Sequence, residues 1–150
     1  MLPADVARLA EALLDAHLPG AGWTFGFDRA VRRAGACHHA TRRITLSRHL
    51  VERADEAEVR QVLLHELAHA VAGHGAGHGP RWRATAARLG CTGSRLHDRP
   101  VAEHRATWIG TCPAGHEHRR FRRPQQAMSC GACSRRFSSA ALISWRRAAA

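Results

Sequence analysis

The sequence predicts an α+β protein followed by a small second module. Three observations carry this. Residues 62–71 form an apolar helical run that contains His-Glu-x-x-His, three short extended stretches precede it, and three of the five cysteines crowd the last third of the chain. At 150 residues and 45% apolar composition, the chain can bury one real core with a small appendage and is not disordered. Its start, Met1-Leu2-Pro3-Ala4-Asp5, lacks a basic segment leading into an apolar one, and no run approaches bilayer length. The expectation is a cytoplasmic protein with no membrane partner. In a reducing compartment, an odd cysteine count with Cys112, Cys130 and Cys133 closely spaced reads as metal binding rather than disulfides.

Residues 3–17 read as a packing helix. Leu2, Val6, Leu9, Leu13 and Leu14 recur at helical spacing, and Pro19-Gly20 stops them. Trp23-Thr24-Phe25-Gly26-Phe27 alternates like a strand, and residues 30–38 and 43–47 supply two more extended stretches. Three antiparallel strands are expected, with Cys37 a small buried side chain on the middle one. Ser47 can cap a short helix through Val51. A long helix then begins near Asp55, its first turn carrying Asp55, Glu56 and Glu58 where the helix dipole favours carboxylates. Val59, Val62, Leu63, Leu67, Ala70 and Val71 form its buried stripe, and Gly73 ends it. The glycine-rich residues 73–77 let the chain double back into a second helix over residues 79–90, with Pro80 near its first position and Gly90 at its end.

Histidines four apart share a helix face, so His65 and His69 can hold one metal ion with Glu66 beside them, the arrangement of a hydrolytic zinc site. Given 12 His in the chain, roughly 0.04 such motifs are expected by chance, and the uncharged flanks argue further against accident. A zinc that keeps a position open for water needs three protein ligands, so a third must come from downstream. His74 and His78 are the candidates. Continuing the helical rotation swings His74 off the metal face, whereas His78 opens the second helix after the glycines, which favours His78.

The order His65-Glu66-Leu67-Ala68-His69, a glycine-rich link, Gly77-His78-Gly79-Pro80 and a helix with Trp82 resembles the SprT-like zinc metalloprotease family, SprT/Spartan-like domains with a C-terminal zinc ribbon. Ala34-Gly35-Ala36-Cys37 and Ile44-Thr45-Leu46-Ser47 look like that domain's strands. The resemblance covers roughly residues 3–137. It implies a zincin-like metalloprotease core (N-terminal helix, small antiparallel sheet, motif helix, second helix), with zinc on His65, His69 and His78 and Glu66 as the catalytic carboxylate. The expected organisation is a protease domain over residues 1–95, a linker over 96–107 and a zinc-ribbon module over 108–145.

In that module, Cys112-Pro113 and Cys130-Gly131-Ala132-Cys133 read as the two knuckles of a zinc ribbon, which SprT-like proteins often carry. Gly115 occupies the usual place of a second cysteine and His116 follows it. A Cys112, His116, Cys130, Cys133 zinc site is expected, with His118 as the runner-up ligand. The alternative is a metal-free ribbon held by Trp108, Phe121 and Phe137. Two zinc ions are thus expected, one catalytic and one structural.

Net charge is +11, divided as +3 over residues 1–94 and +8 over residues 95–150. There is no lysine, so coding bias accounts for arginine as the basic residue but not for its concentration at one end. Arg119, Arg120, Arg122, Arg123, Arg135 and Arg136, with Phe121 between two pairs, suggest a polyanionic partner. The reading is a zinc metalloprotease with a glutamate base acting on proteins associated with or crosslinked to DNA, as the resemblance implies. The alternatives are a non-catalytic zinc-containing nucleic-acid-binding protein and a metal-dependent hydrolase of another substrate. With no tyrosine in the chain, oxyanion stabilisation falls to an arginine, His74 or the metal alone.

Overall fold

Pro3 starts the first helix, α1 (Pro3–His17), where its fixed φ suits the first turn and its missing N–H costs nothing. The structure, a computed structural model, describes residues 1–92 and 101–148. Two compact units form, Met1–Val101 and Ala102–Ala150. Among the described residues, no helix is long and apolar enough to cross a membrane.

In the first unit, α1 buries Val6, Ala10 and Leu14, one stripe of its amphipathic face. Three strands follow, β1 (Thr24–Asp28), β2 (Gly35–His38) and β3 (Arg43–Ser47). The expected all-antiparallel sheet is corrected here. The spatial order is β1-β3-β2, with β1 parallel to β3 and β2 antiparallel to it. The reason lies in β3, whose Ile44, Thr45, Leu46 and Ser47 are all buried, so it takes the centre and leaves β2, with Cys37, at an edge. The expected second strand also shortens to Gly35–His38, because the chain just before it is spent wrapping the end of β3. Asp28 accepts from the Ala30 N–H at 2.8 Å and from the Thr45 hydroxyl at 2.8 Å. Ser47 donates its hydroxyl to the Ala30 carbonyl at 2.6 Å and its N–H to the Ala34 carbonyl at 2.8 Å.

Ser47 also caps the short helix α2 (Arg48–Val51), accepting from the His49 N–H. Asp55 does the same for α3 (Glu56–Ala72), accepting from the Glu58 N–H at 2.8 Å. Helix α3 packs against α1, β2, β3 and a last helix, α4 (Pro80–Arg88). That enclosure buries Leu64 and Ala68 as well as Val59, Val62, Leu63, Leu67 and Ala70, whereas Val71, expected in the same stripe, is only half-buried. Val101 lies in this unit's core with Val6, Leu46 and Val59. Of the expected linker, residues 96–100 lie outside the described residues, as do residues 93–95 of the expected protease domain. Among residues 101–107, Glu103–Arg105 form a short 3-10 turn.

The second unit is a three-stranded antiparallel sheet of β4 (Trp108–Thr111), β5 (Glu117–Arg120) and β6 (Ser144–Arg147), in the order β5-β4-β6. Its core is small: Cys112, Cys130, Ala141 and Ile143, with Met128 and Trp145 packed against them.

Candidate metal centres

Helix α3 positions His65 and His69 on one face, and the chain returns a third imidazole to them. Gly73, Gly75 and Gly77 have φ of 90°, 83° and 50°, left-handed values that side chains with a Cβ avoid, so the reversal depends on this glycine series. His78 then stands just before α4, its carbonyl accepting from Arg83 at 2.8 Å. The His78 Nε2 lies 3.1 Å from the His65 Nε2 and 3.1 Å from the His69 Nε2. Beneath all three rings sits the buried Trp82 of α4, with ring centroids 4.8, 5.3 and 4.6 Å from His65, His69 and His78. His74 does not join this group. Its ring meets His39 edge-on at 5.5 Å.

The electrostatics suit a cation. Burial, reinforced by His65, His78 and His39, lowers His69 to about 4, and burial with His78 lowers His65, so both rings are neutral at pH 7. Ring nitrogens 3.1 Å apart present converging lone pairs. Three nitrogens about 2.0–2.1 Å from a shared tetrahedral ion would lie roughly 3.4 Å apart, so the donor set fits zinc. Glu66 is 8% exposed, and burial raises its carboxyl to about 7 against a smaller downward pull from Arg33. A carboxyl poised there can both take and return a proton near neutral pH.

Two neighbours that sequence reasoning missed shape this carboxylate. A Cβ on Gly35 would meet Glu66 Cγ at 2.9 Å and Oε1 at 3.0 Å, so only glycine lets the β2 edge approach so closely. Arg33, tied to Asp28 at 2.6 Å, supplies the nearby positive charge. Neither stands out in the sequence, because the contacts arise from the crossing of the chain over β3.

In the second unit, the sulfurs of Cys112, Cys130 and Cys133 and the His116 Nδ1 lie within 4.8 Å of one another. His116 Nδ1 is 3.5 Å from Cys112 Sγ, 3.7 Å from Cys130 Sγ and 3.3 Å from Cys133 Sγ, and the Cys112 and Cys133 sulfurs are 3.8 Å apart. Gly115, at φ 82°, makes the turn that brings His116 round. Sulfur ligands about 2.3 Å from a tetrahedral zinc would lie roughly 3.8 Å apart, so this closed four-donor set also fits zinc. Burial opposes ionisation of Cys112, but hydrogen bonds from His116 and the Ala114 backbone outweigh it and hold the thiol at about 6. Cys133 is pushed up to about 11 by Cys130, burial and Cys112, a crowding of thiols that a cation would relieve. His118 stays outside the group, on β5 opposite Gly110, with its Nε2 buried.

A model of the SprT-like family matches residues 6–105. The chain belongs to the SprT-like family. No curated protein and no solved structure matches it. The SprT-like match spans both the motif helix and His78, so all three imidazoles fall within the shared region.

Proposed function

We propose that this SprT-like protein is a zinc-dependent metallopeptidase that acts on DNA-associated proteins. The observation that carries the reading is the open set of three imidazoles with the buried Glu66 next to one of them on the same helix. Structural zinc sites are normally closed by four ligands, as at the ribbon, whereas a hydrolytic site keeps one position free.

His65, His69 and His78 would hold the ion. When bound, zinc supplies Lewis acidity that acidifies water and polarises a carbonyl. Glu66 then takes the proton of the attacking water and returns it to the departing amine nitrogen. Trp82 backs the three rings and keeps bulk water from that side. A ribbon zinc on Cys112, His116, Cys130 and Cys133 has a structural role.

DNA as partner is supported by the second unit's sheet. Register places Arg120 and Arg147 on either side of Trp108. The Arg120 guanidinium lies 5.9 Å from the Trp145 ring and that of Arg123 lies 5.5 Å from Trp108, so cations and aromatic faces share one surface. The test uses the full chain, stripped with a chelator and reloaded with zinc, offered casein and a protein crosslinked to an oligonucleotide. Zinc should restore cleavage of both, and DNA should speed the second. Changing Arg119, Arg120, Arg122 and Arg123 to Gln should weaken oligonucleotide binding and flatten its salt dependence while leaving casein cleavage intact. Failure to cleave either substrate with zinc bound favours the non-catalytic nucleic-acid-binding alternative.

A further inference from the structure

The third imidazole differs from the other two in what holds it. His65 and His69 are half-buried on the enclosed helix α3, whereas His78 is exposed and comes from the glycine-rich link. Two turns shape that link, the Ala76 N–H donating to the Gly73 carbonyl at 3.3 Å and the Gly79 N–H to the Ala76 carbonyl at 3.0 Å. Packing does not brace it between them, since a Cβ on Gly75 or Gly77 would meet nothing within 4 Å. A ligand on such a stretch loses conformational freedom when it takes up an ion, and that cost weakens binding unless something else holds the ring.

Helix α4 holds it at two points. Arg83 donates from Nη1 to the His78 carbonyl at 2.8 Å, which ties down the backbone. Trp82, one residue earlier, meets the ring itself edge to face, with centroids 4.6 Å apart and planes at 83°. We propose that Trp82 and Arg83 are positioning residues that together clamp His78 in register with the histidine pair on α3, and so raise the zinc affinity of the three-imidazole group. This rests on the metal-binding part of the reading above.

Trp82 can serve as a reference point because it is itself fixed. It is 4% exposed and lies in the apolar cluster with Leu64, Ala68 and Ala86. Its indole N–H has no acceptor among the described residues, so packing rather than a hydrogen bond to protein sets the ring. From there it also meets His65 at 61° and His69 at 35°, so one rigid side chain aligns all three imidazoles. An imidazole that ligates a cation takes on part of its charge, and an indole attracts such charge more strongly than a benzene ring does. Leucine would fill space there without a π face. Arg83 acts differently. Its side chain is exposed and its positive charge opposes a nearby cation, so its contribution comes through the hydrogen bond to the His78 carbonyl.

The experiment titrates zinc on the full chain against a chromogenic chelator and repeats the titration with cobalt(II). Thiolate charge-transfer absorption marks the step that fills the Cys112, Cys130 and Cys133 group, which assigns the other step to the imidazoles. Trp82→Leu should weaken the imidazole step about 10- to 100-fold, with Trp82→Phe between it and the parent, and the thiolate step should not move. Arg83→Met should weaken the imidazole step about fivefold, whereas loss of the charge alone would strengthen it. The helical signal checks folding, and the exposed Arg83 carries the test if Trp82→Leu does not fold. Parental zinc affinity in folded Trp82→Leu, a Trp82→Phe affinity no higher than that of Trp82→Leu, or equal or tighter binding in Arg83→Met would overturn the inference. Affinity is read without substrate, so a parent that holds zinc on the imidazoles but leaves casein uncut would overturn the metallopeptidase reading alone. No imidazole step in the parent would overturn both.

Discussion

Glu66 is the base of the proposed reaction, and its burial has a measurable consequence for folding. Its folded pKa of about 7 lies above the ordinary 4.5, so the group favours the folded state fully below 4.5 and loses that contribution as pH rises through 7. The uncharged Gln removes this linkage. In metal-free protein, Glu66→Gln should therefore be more stable than the parent by about 2–3 kcal/mol at pH 8, with the two converging as pH falls to about 4.5. Urea unfolding at several pH values measures this, and a difference independent of pH would contradict the buried, raised carboxyl. The histidines make a second prediction. His78→Ala should sharply lower zinc occupancy of the three-imidazole group, whereas His74→Ala, whose ring meets His39 instead, should leave it nearly intact. Elemental analysis of the two variants decides, and the reverse ranking would place the third ligand on His74.

At the scale of the elements, the packing of β2 on α3 sets where the carboxylate points. Gly35→Ala adds a Cβ that must displace Glu66 or Leu46, both within 3.0 Å of it. We expect destabilisation of about 1–3 kcal/mol and a fall in cleavage larger than any loss of zinc, read from urea unfolding beside kcat. A variant with parental stability and rate would show that the close approach has no role. The helices were legible in the sequence because their signals are local. Pro3, Asp55, Gly73 and Pro80 mark caps and boundaries within a turn of where the structure has them. The sheet order was not, since adjacent stretches were assumed to pair in sequence order. Nothing local in residues 29–34 says that they cross the end of β3 and open a gap for it. The His65, His69 and Glu66 cluster was readable from helical spacing alone. The contributions of Gly35 and Arg33 depend on that crossing and were hidden for the same reason.

For the whole molecule, the two units differ in what holds them together. The first has an extensive apolar core, while the second has two cysteines at the centre of a very small one. Replacing Cys130 and Cys133 by Ser should therefore release one zinc and unfold the second unit while the first keeps its helical signal. An unchanged zinc count would mean that the Cys112, His116, Cys130, Cys133 group holds no metal. Whether the first unit cuts peptide bonds through a bound metal and Glu66 is decided by casein cleavage in full-length Glu66→Gln beside the parent, both zinc-loaded and with zinc counted. Zinc should be equal in the two proteins and kcat at least about 10²-fold lower in the variant, the scale of a lost general base. Equal zinc with equal cleavage would rule out Glu66 as the base.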